Sequence, residues 1–339
     1  MKAAVFKGPG KGLRIEELPD PAPEAGEVVI RVGRVGICGS DLSMTSGEGQ
    51  QLATDSVIGH EFCGEVVALG TGVDNLHLGD RVAPLPFVGC GHCPACYAGY
   101  VHRCQQLRVD IVAGYAQYSR VGARDCVQLS ETVSDEEGAL IEPLAVGLQG
   151  VRKAALPVGA KVLVVGAGPI GLSAAFWAQR LGASRIAVVA QSARRSSVVA
   201  TMGFGKLVAQ GEASDPQQAI ADVLGGMPDV VFEAAGVPGA IARAIEYVKL
   251  TGTVIGLGIP VGVDSFVPAL AVWKEVRVQF SMCYNRQDFA YAEQIIAAGD
   301  HRPRAMISAT ISLDRLPDKF ESLRGHTSEC KVMVAPNGL

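Results

Sequence analysis

Nine cysteines are spread through the 339-residue chain, and four of them lie close together: Cys90-Gly-His-Cys93-Pro-Ala-Cys96, with Cys104 following. Thiolates at such gaps can close a tetrahedron around Zn²⁺, because a looping backbone turns successive sulfurs toward one point. Four cysteines can also hold an iron–sulfur cluster or pair as disulfides. The gap before Cys104 is too long for the bacterial ferredoxin run, however, and the order of gaps is wrong for the plant type. Zinc suits the ligand type and spacing better. With sulfur in all four positions no place is left for a substrate, so a metal held there would be structural.

A second group mixes its ligand types. Cys38-Gly39-Ser40-Asp41 follows a strand-like run, Gly59-His60-Glu61 comes next, and Glu142-Pro143 much later opens the passage to the second half. One sulfur, one imidazole and one or two carboxylates form the kind of set that keeps a coordination position for water or substrate. Spacing alone also admits a plainer reading, in which the cysteine is a small core residue and the tripeptide a loop. The third signal is Gly166-Ala167-Gly168-Pro169-Ile170-Gly171, directly after an apolar strand and opening a helix. Glycines so placed let backbone approach a pyrophosphate and seat it at the positive helix N-terminus. The alternative is a tight strand–helix turn that binds nothing.

These residues need elements to position them. With 48% hydrophobic residues, the chain can bury two substantial cores, which points to about two domains. The first 150 residues read as short β-branched strands, among them 28–32, 65–69 and 81–83, bounded by turn signals. From residue 161 the rhythm changes to strand, helix, strand. Strands are expected at 161–165, 185–190, 206–208, 229–233, 252–256 and 277–282, with helices such as 170–181 and 241–248 between them. That alternation predicts a doubly wound parallel sheet. A helix at 289–298 and a final apolar strand at 331–335 fall outside it.

Charge narrows the partners. There are 34 acids against 30 bases, a net charge of −4, so no overall basic field exists to hold nucleic acid or an anionic membrane. The longest uncharged run, 162–179, touches the lower length limit for a membrane span. Its glycines, Pro169 and Gln179 fit a buried strand, turn and helix instead. The opening MKAAVFK has no apolar signal region, and clustered rather than paired cysteines suit a reducing compartment, so a cytoplasmic protein is expected.

In this order and spacing, the three motifs resemble the zinc-dependent medium-chain dehydrogenase/reductase family over essentially the whole chain. Gly36-Ile37-Cys38-Gly39-Ser40-Asp41, Gly59-His60-Glu61 and Ile141-Glu142-Pro143-Leu144 are most similar to its polyol, sugar-acid and threonine dehydrogenase branch. The resemblance implies an α/β chain. A GroES-like β-rich catalytic domain, residues 1–150 completed by 289–339, would be split around a Rossmann dinucleotide-binding domain at 151–288. It implies homodimers or homotetramers. It implies Cys38, His60 and Glu61 as ligands of a catalytic zinc, Glu142 as a further carboxylate, and a second, structural zinc on Cys90, Cys93, Cys96 and Cys104. Asp41 would fix the His60 tautomer by accepting its free N–H. Ser40 would relay the proton of the alcohol substrate. The reaction implied is hydride transfer between a small-molecule secondary alcohol (a polyol, sugar acid or related hydroxy compound) and a nicotinamide dinucleotide.

Two departures from the family pattern matter. Ser43 stands where relatives often carry histidine, and a hydroxyl does not titrate near neutrality, so the onward proton path would run through water or cofactor ribose. At Ala190-Gln191-Ser192-Ala193-Arg194-Arg195 there is no carboxylate to hold an NAD ribose, and the two arginines suit a 2′-phosphate. NADP(H) is therefore expected over NAD(H). The cofactor residues are Gly166, Gly168, Pro169, Ile170 and Gly171 at the turn and Gln191, Ser192, Arg194 and Arg195 at the ribose. Ala235 and Leu257 follow in later strand-end loops. Phe87, Tyr115, Met282 and Tyr284 divide between core and substrate space. Two rival functions are a zinc-free quinone or enoyl reductase of the same superfamily, which generally lacks the Cys38, His60 and Glu142 set, and a non-catalytic nucleotide-binding protein.

Overall fold

The computed structural model describes all residues except 49–51, 110–112, 261 and 326. Two compact units emerge: Met1–Glu142 with Asn285–Leu339, and Pro143–Tyr284. From the sequence the divisions are expected at 150/151 and 288/289.

The first unit begins with β1 (Lys2–Phe6), β2 (Leu13–Glu17), β3 (Glu27–Gly36), α1 (Gly39–Met44), β4 (Ser56–Val57) and β5 (Glu61–Leu69). It continues through β6 (Arg81–Pro84), α2 (Pro94–Tyr97), β7 (Tyr118–Gly122), β8 (Cys126–Gln128) and the start of α3 (Asp135–Ala154), whose residues from Pro143 belong to the second unit. β3 is the spine, pairing antiparallel with both β5 and β7. Val28, Ile30 and Val32 alternate inward along it and meet Phe62 and Val66 of β5 and Val82 of β6 in one core. α3 runs through both Glu142 and Pro143, and the first unit gives way to the second at this pair, where the sequence opens the passage to the second half. An interior proline removes its own N–H bond to the preceding turn and crowds the carbonyl four residues back. Burial outweighs that loss, since Ala139, Leu140, Ile141, Leu144 and Ala145 on either side are all fully buried.

The second unit alternates as its rhythm predicts: β9 (Lys161–Val165), α4 (Pro169–Arg180), β10 (Arg185–Ala190), α5 (Ser196–Thr201), β11 (Lys206–Ala209) and α6 (Pro216–Leu224). Then come β12 (Val230–Glu233), α7 (Ala240–Tyr247), β13 (Thr253–Gly256), α8 (Pro268–Lys274) and β14 (Arg277–Phe280). All six strands are parallel, in the order β11-β10-β9-β12-β13-β14. The order reverses at β9, and ligands bind such sheets at the strand carboxyl ends beside that reversal. The uncharged run 162–179 is β9, its turn and α4, whose residues from Gly171 to Ala178 are buried. Among the described residues, no helix is long and apolar enough to cross a membrane.

The chain then returns to the first unit with α9 (Arg286–Ala297), β15 (Ile307–Ser312), α10 (Leu316–Ser322) and β16 (Lys331–Ala335). Arg286 pairs with the buried Asp125 carboxylate, and Glu293 Oε1 accepts the Ser130 N–H at 2.9 Å, which ties α9 down. β16 inserts between β15 and β3, with Met333 opposite Gly36. The last strand therefore begins beside the loop that carries Cys38.

Candidate active site

The mixed donor group is built by sheet register. Cys38 caps the start of α1, and Asp41, three residues on, accepts the Cys38 backbone N–H at 3.2 Å. Glu61 heads β5 directly opposite Gly36 of β3. A Cβ at position 36 would lie 2.3 Å from Glu61 Oε2, so only glycine leaves room for this carboxylate. His60 precedes it, and donor atoms of Cys38, His60 and Glu61 all lie within 4.8 Å of one another. Glu142, expected from the sequence to add a carboxylate, is buried in α3 and is not in this group.

His60 Nδ1–H donates to Asp41 Oδ1 at 3.1 Å, which leaves Nε2 as the ring's donor atom. Ser40 donates to Cys38 Sγ at 3.2 Å, with its hydroxyl 3.4 Å from His60 Nε2. Burial pushes the Asp41 carboxyl up. The His60 charge, together with hydrogen bonds from His60, Tyr115 and the Cys38 N–H, outweighs this and holds it below its ordinary value. Burial lowers His60, but the charges of Asp41 and Cys38 lift its protonation well above the usual imidazole range. The same field attracts a metal cation.

Glu61 is completely buried. Its Oε2 is paired with the ammonium of Lys331, at the head of β16, which also donates to the Ile37 carbonyl at 3.0 Å. Its Oε1 is buried with no hydrogen-bond partner among the described residues. A partnerless carboxylate oxygen beside a thiol and an imidazole nitrogen is the environment a divalent cation satisfies, so these residues fit zinc. Lys331 escapes sequence reasoning because its partner is 270 residues away. The visible signal was a lysine leading an otherwise apolar strand.

The four-cysteine group also converges, with the sulfurs of Cys90, Cys93, Cys96 and Cys104 within 4.8 Å of one another. Here the support is local. Cys104 Sγ accepts the N–H groups of Cys90 and Gln106, each at 3.3 Å, and Cys93 Sγ accepts that of Cys96 at 3.5 Å. The Cys96 N–H is the main reason the Cys93 thiol is pulled down to about 6, whereas burial pushes Cys96 up to about 12. Donors aimed at sulfur favour the thiolate that metal requires.

In the second unit, Gly166 has φ of 104° at the end of β9, and Gly168 caps α4 with Pro169 as its first helical residue. Arg195 reaches back from the loop after β10 to donate to the Ala167 carbonyl at 3.2 Å. The glycine turn and the arginine-bearing loop therefore adjoin. Gln191 and Arg194 are exposed and Ser192 half-buried. Ala235 lies exposed after β12, while Leu257 is buried after β13, beside Gly150 of α3. Of the residues divided between core and substrate space, Phe87, Tyr115 and Tyr284 are buried and Met282 is exposed.

The GroES-like domain of alcohol dehydrogenases matches residues 24–131, and the zinc-binding dehydrogenase model matches residues 169–298. The chain is 31% identical over 347 residues, 99% of each chain, to 2-dehydro-3-deoxy-L-galactonate 5-dehydrogenase of Pseudoalteromonas atlantica. It superposes on the crystal structure of 2R,3R-butanediol dehydrogenase from Bacillus subtilis with a TM-score of 0.88, at 32% identity and 99% coverage of both chains. A structure described as a zinc-binding dehydrogenase from Sinorhizobium meliloti 1021 bound to NADP gives 0.87 at 31% identity and the same coverage. The chain belongs to the zinc-dependent alcohol dehydrogenase family of medium-chain dehydrogenases/reductases, and it is an oxidoreductase.

At Gly171 a Cβ would lie 2.0 Å from the Gly166 carbonyl oxygen. Gly171→Ala should therefore open the turn and weaken NAD(P)(H) binding at least tenfold, roughly 1.4 kcal/mol, in a fluorescence titration. Unchanged affinity would show that the turn does not seat the pyrophosphate.

Proposed function

We propose that the protein oxidises a secondary alcohol in a polyol, sugar acid or related hydroxy compound to the ketone, reversibly, using zinc on Cys38, His60 and Glu61 and NADP⁺ as hydride acceptor. The observation that carries this reading is the partnerless buried Glu61 oxygen grouped with a thiol and an imidazole. Two relatives support the substrate class, since their names denote oxidation at a carbon bearing a secondary hydroxyl.

Zinc would supply Lewis-acid polarisation of the substrate oxygen, and the dinucleotide the two-electron acceptor. The chain's own residues do the rest. Ser40, with its hydroxyl beside both Cys38 Sγ and His60 Nε2, receives the substrate proton while passing its own outward. Asp41 keeps the proton of His60 on Nδ1. Lys331 balances one carboxylate charge, that of Glu61. The helix start at Gly168 and Pro169 offers backbone N–H groups to the pyrophosphate. Cys90, Cys93, Cys96 and Cys104 would hold a second zinc with a structural task. The nine thiols suit the cytoplasm, where they stay reduced.

NADP(H) is favoured because the loop after β10 carries Arg194 and Arg195 and no carboxylate, with Arg195 already reaching the glycine turn. A relative of known structure binds NADP. A homo-oligomer built on a two-fold dimer is favoured by β14. Among the described residues this edge strand pairs only with β13. In the chain leading into and through it, Val263, Val267, Val272, Trp273, Phe280 and Met282 are 65% to 92% exposed. An open strand edge is self-complementary across a two-fold axis, and a second copy paired there would also cover exposed apolar side chains.

Metal analysis should find two zincs per chain, and Cys38→Ser should leave one, with turnover abolished and dinucleotide binding intact. Full activity after chelation at the mixed site would sink the reading, and zinc-free turnover would favour the reductase alternative. A panel of secondary alcohols should give higher kcat/KM with NADP⁺ than with NAD⁺. Replacing Arg194 and Arg195 by alanine should cut only the former, by about tenfold or more, as expected for a lost charge-assisted hydrogen bond of ~1.5–3 kcal/mol. Light scattering should return a multiple of the 35.3 kDa chain mass. Trp273→Glu should convert it to monomer, and a monomeric wild type would refute the dimer.

A further inference from the structure

Tyr115 has a placement that neither the donor group nor the cofactor turn accounts for. Its backbone is fastened to the segment just before His60: the Tyr115 N–H donates to the Ile58 carbonyl at 2.8 Å and the Gly114 N–H to the Gly59 carbonyl at 2.9 Å. On the other side, the Ala4 N–H donates to the Tyr115 carbonyl at 2.8 Å. The side chain is completely buried, edge-on to Phe320 with ring centroids 6.4 Å apart. It packs so closely over Gly59 that a Cβ there would lie 2.8 Å from the ring, and Gly59 itself has φ of 97°. Backbone and ring are thus fixed from several directions before the hydroxyl is considered.

That hydroxyl lies 2.5 Å from Asp41 Oδ2 and 3.4 Å from the Gly36 carbonyl, so its single proton goes to the carboxylate. Burial and the adjoining Asp41 charge push the phenol well above its usual range, which keeps it a donor. Asp41 is also fully buried, with Oδ1 serving His60 and Oδ2 serving Tyr115 and the Cys38 N–H. The Cys38 bond is long at 3.2 Å. Without the phenol, Oδ2 would be held by it alone, and the carboxylate plane could turn. Orientation of a ligating imidazole depends on the group that accepts its other N–H.

We propose that Tyr115 is a positioning residue of the mixed donor group: its hydroxyl fixes the Asp41 carboxylate, and through it the plane and tautomer of His60, and so sets the affinity for zinc. This rests on the reading of Cys38, His60 and Glu61 as zinc ligands. Tyr115 touches none of the three donor atoms by its hydroxyl. It acts through Asp41.

Tyr115→Phe keeps the ring against Gly59 and Phe320 and removes only the hydroxyl. In competition with a chromophoric chelator, the full-length holoprotein should release the mixed-site zinc with roughly 10- to 100-fold lower affinity. The four-cysteine zinc should be retained as in the wild type. Cobalt(II) placed in the mixed site should show shifted visible bands in the variant. In an Asp41→Asn background, Tyr115→Phe should have no further effect, because its route is gone. An unchanged release curve at the mixed site overturns the proposal, as does equal weakening of both zincs, which would mark general loosening of the fold. If Cys38→Ser leaves the wild-type zinc content unaltered, the ligand reading fails and the proposal with it.

Discussion

The Glu61 carboxylate is the constraint around which the first unit is arranged. It is wholly buried, one oxygen is paired with Lys331, and the other has no hydrogen-bond partner among the described residues. Burying an ion costs several kcal/mol even after relaxation, and an unpaired polar atom adds to that. A single ammonium does not balance Glu61, Asp41 and Cys38 together. The imbalance has a use, because a pocket rich in negative charge and lacking donors on one side is an attractive place for a divalent cation. Gly36 gives the carboxylate space, β5 fixes its height in the sheet, and β16 brings the counter-charge.

The two cysteine-bearing groups solve different problems with the same atom. Around Cys90, Cys93, Cys96 and Cys104, backbone N–H groups from the same short stretch point at the sulfurs and stabilise their charge. All four donors are soft and equivalent, so a metal there would be closed off. At Cys38 the sulfur shares its surroundings with an imbalanced set of nitrogen, carboxylate and hydroxyl groups drawn from α1, the approach to β5 and β16. That set differs in softness and charge, which suits exchange of a substrate oxygen.

Motifs whose parts are close in sequence were legible. The cysteine cluster, the glycine turn and the alternating strands of the second unit all depend on local spacing, and the parallel strands, buried on both faces, stand out as apolar runs. Tyr115 and Lys331 were not legible as supports of the site. Each acts on a partner in a distant segment, and a buried tyrosine or a strand-leading lysine has no periodic signature of that contact. Glu142-Pro143, expected to open the second half, does fall at the boundary between the two units, although the helix α3 continues through it with buried residues on both sides. Gly36, read as part of a motif, is required because the opposite strand carries a carboxylate at the same height.

Locality also decides how metal binding and folding are coupled. Cys90 to Cys104 lie in one stretch with internal hydrogen bonds, so their convergence rests largely on local contacts. Cys38, His60 and Glu61 converge only when β3 and β5 are in register, and their charge is balanced only when β16 has joined the sheet after the excursion through the second unit. Metal binding at such a group adds its free energy to the finished fold alone. The returning segment therefore does more than cover the first sheet. By carrying Lys331 to Glu61, it makes the electrostatics of the mixed donor group conditional on the whole unit having folded.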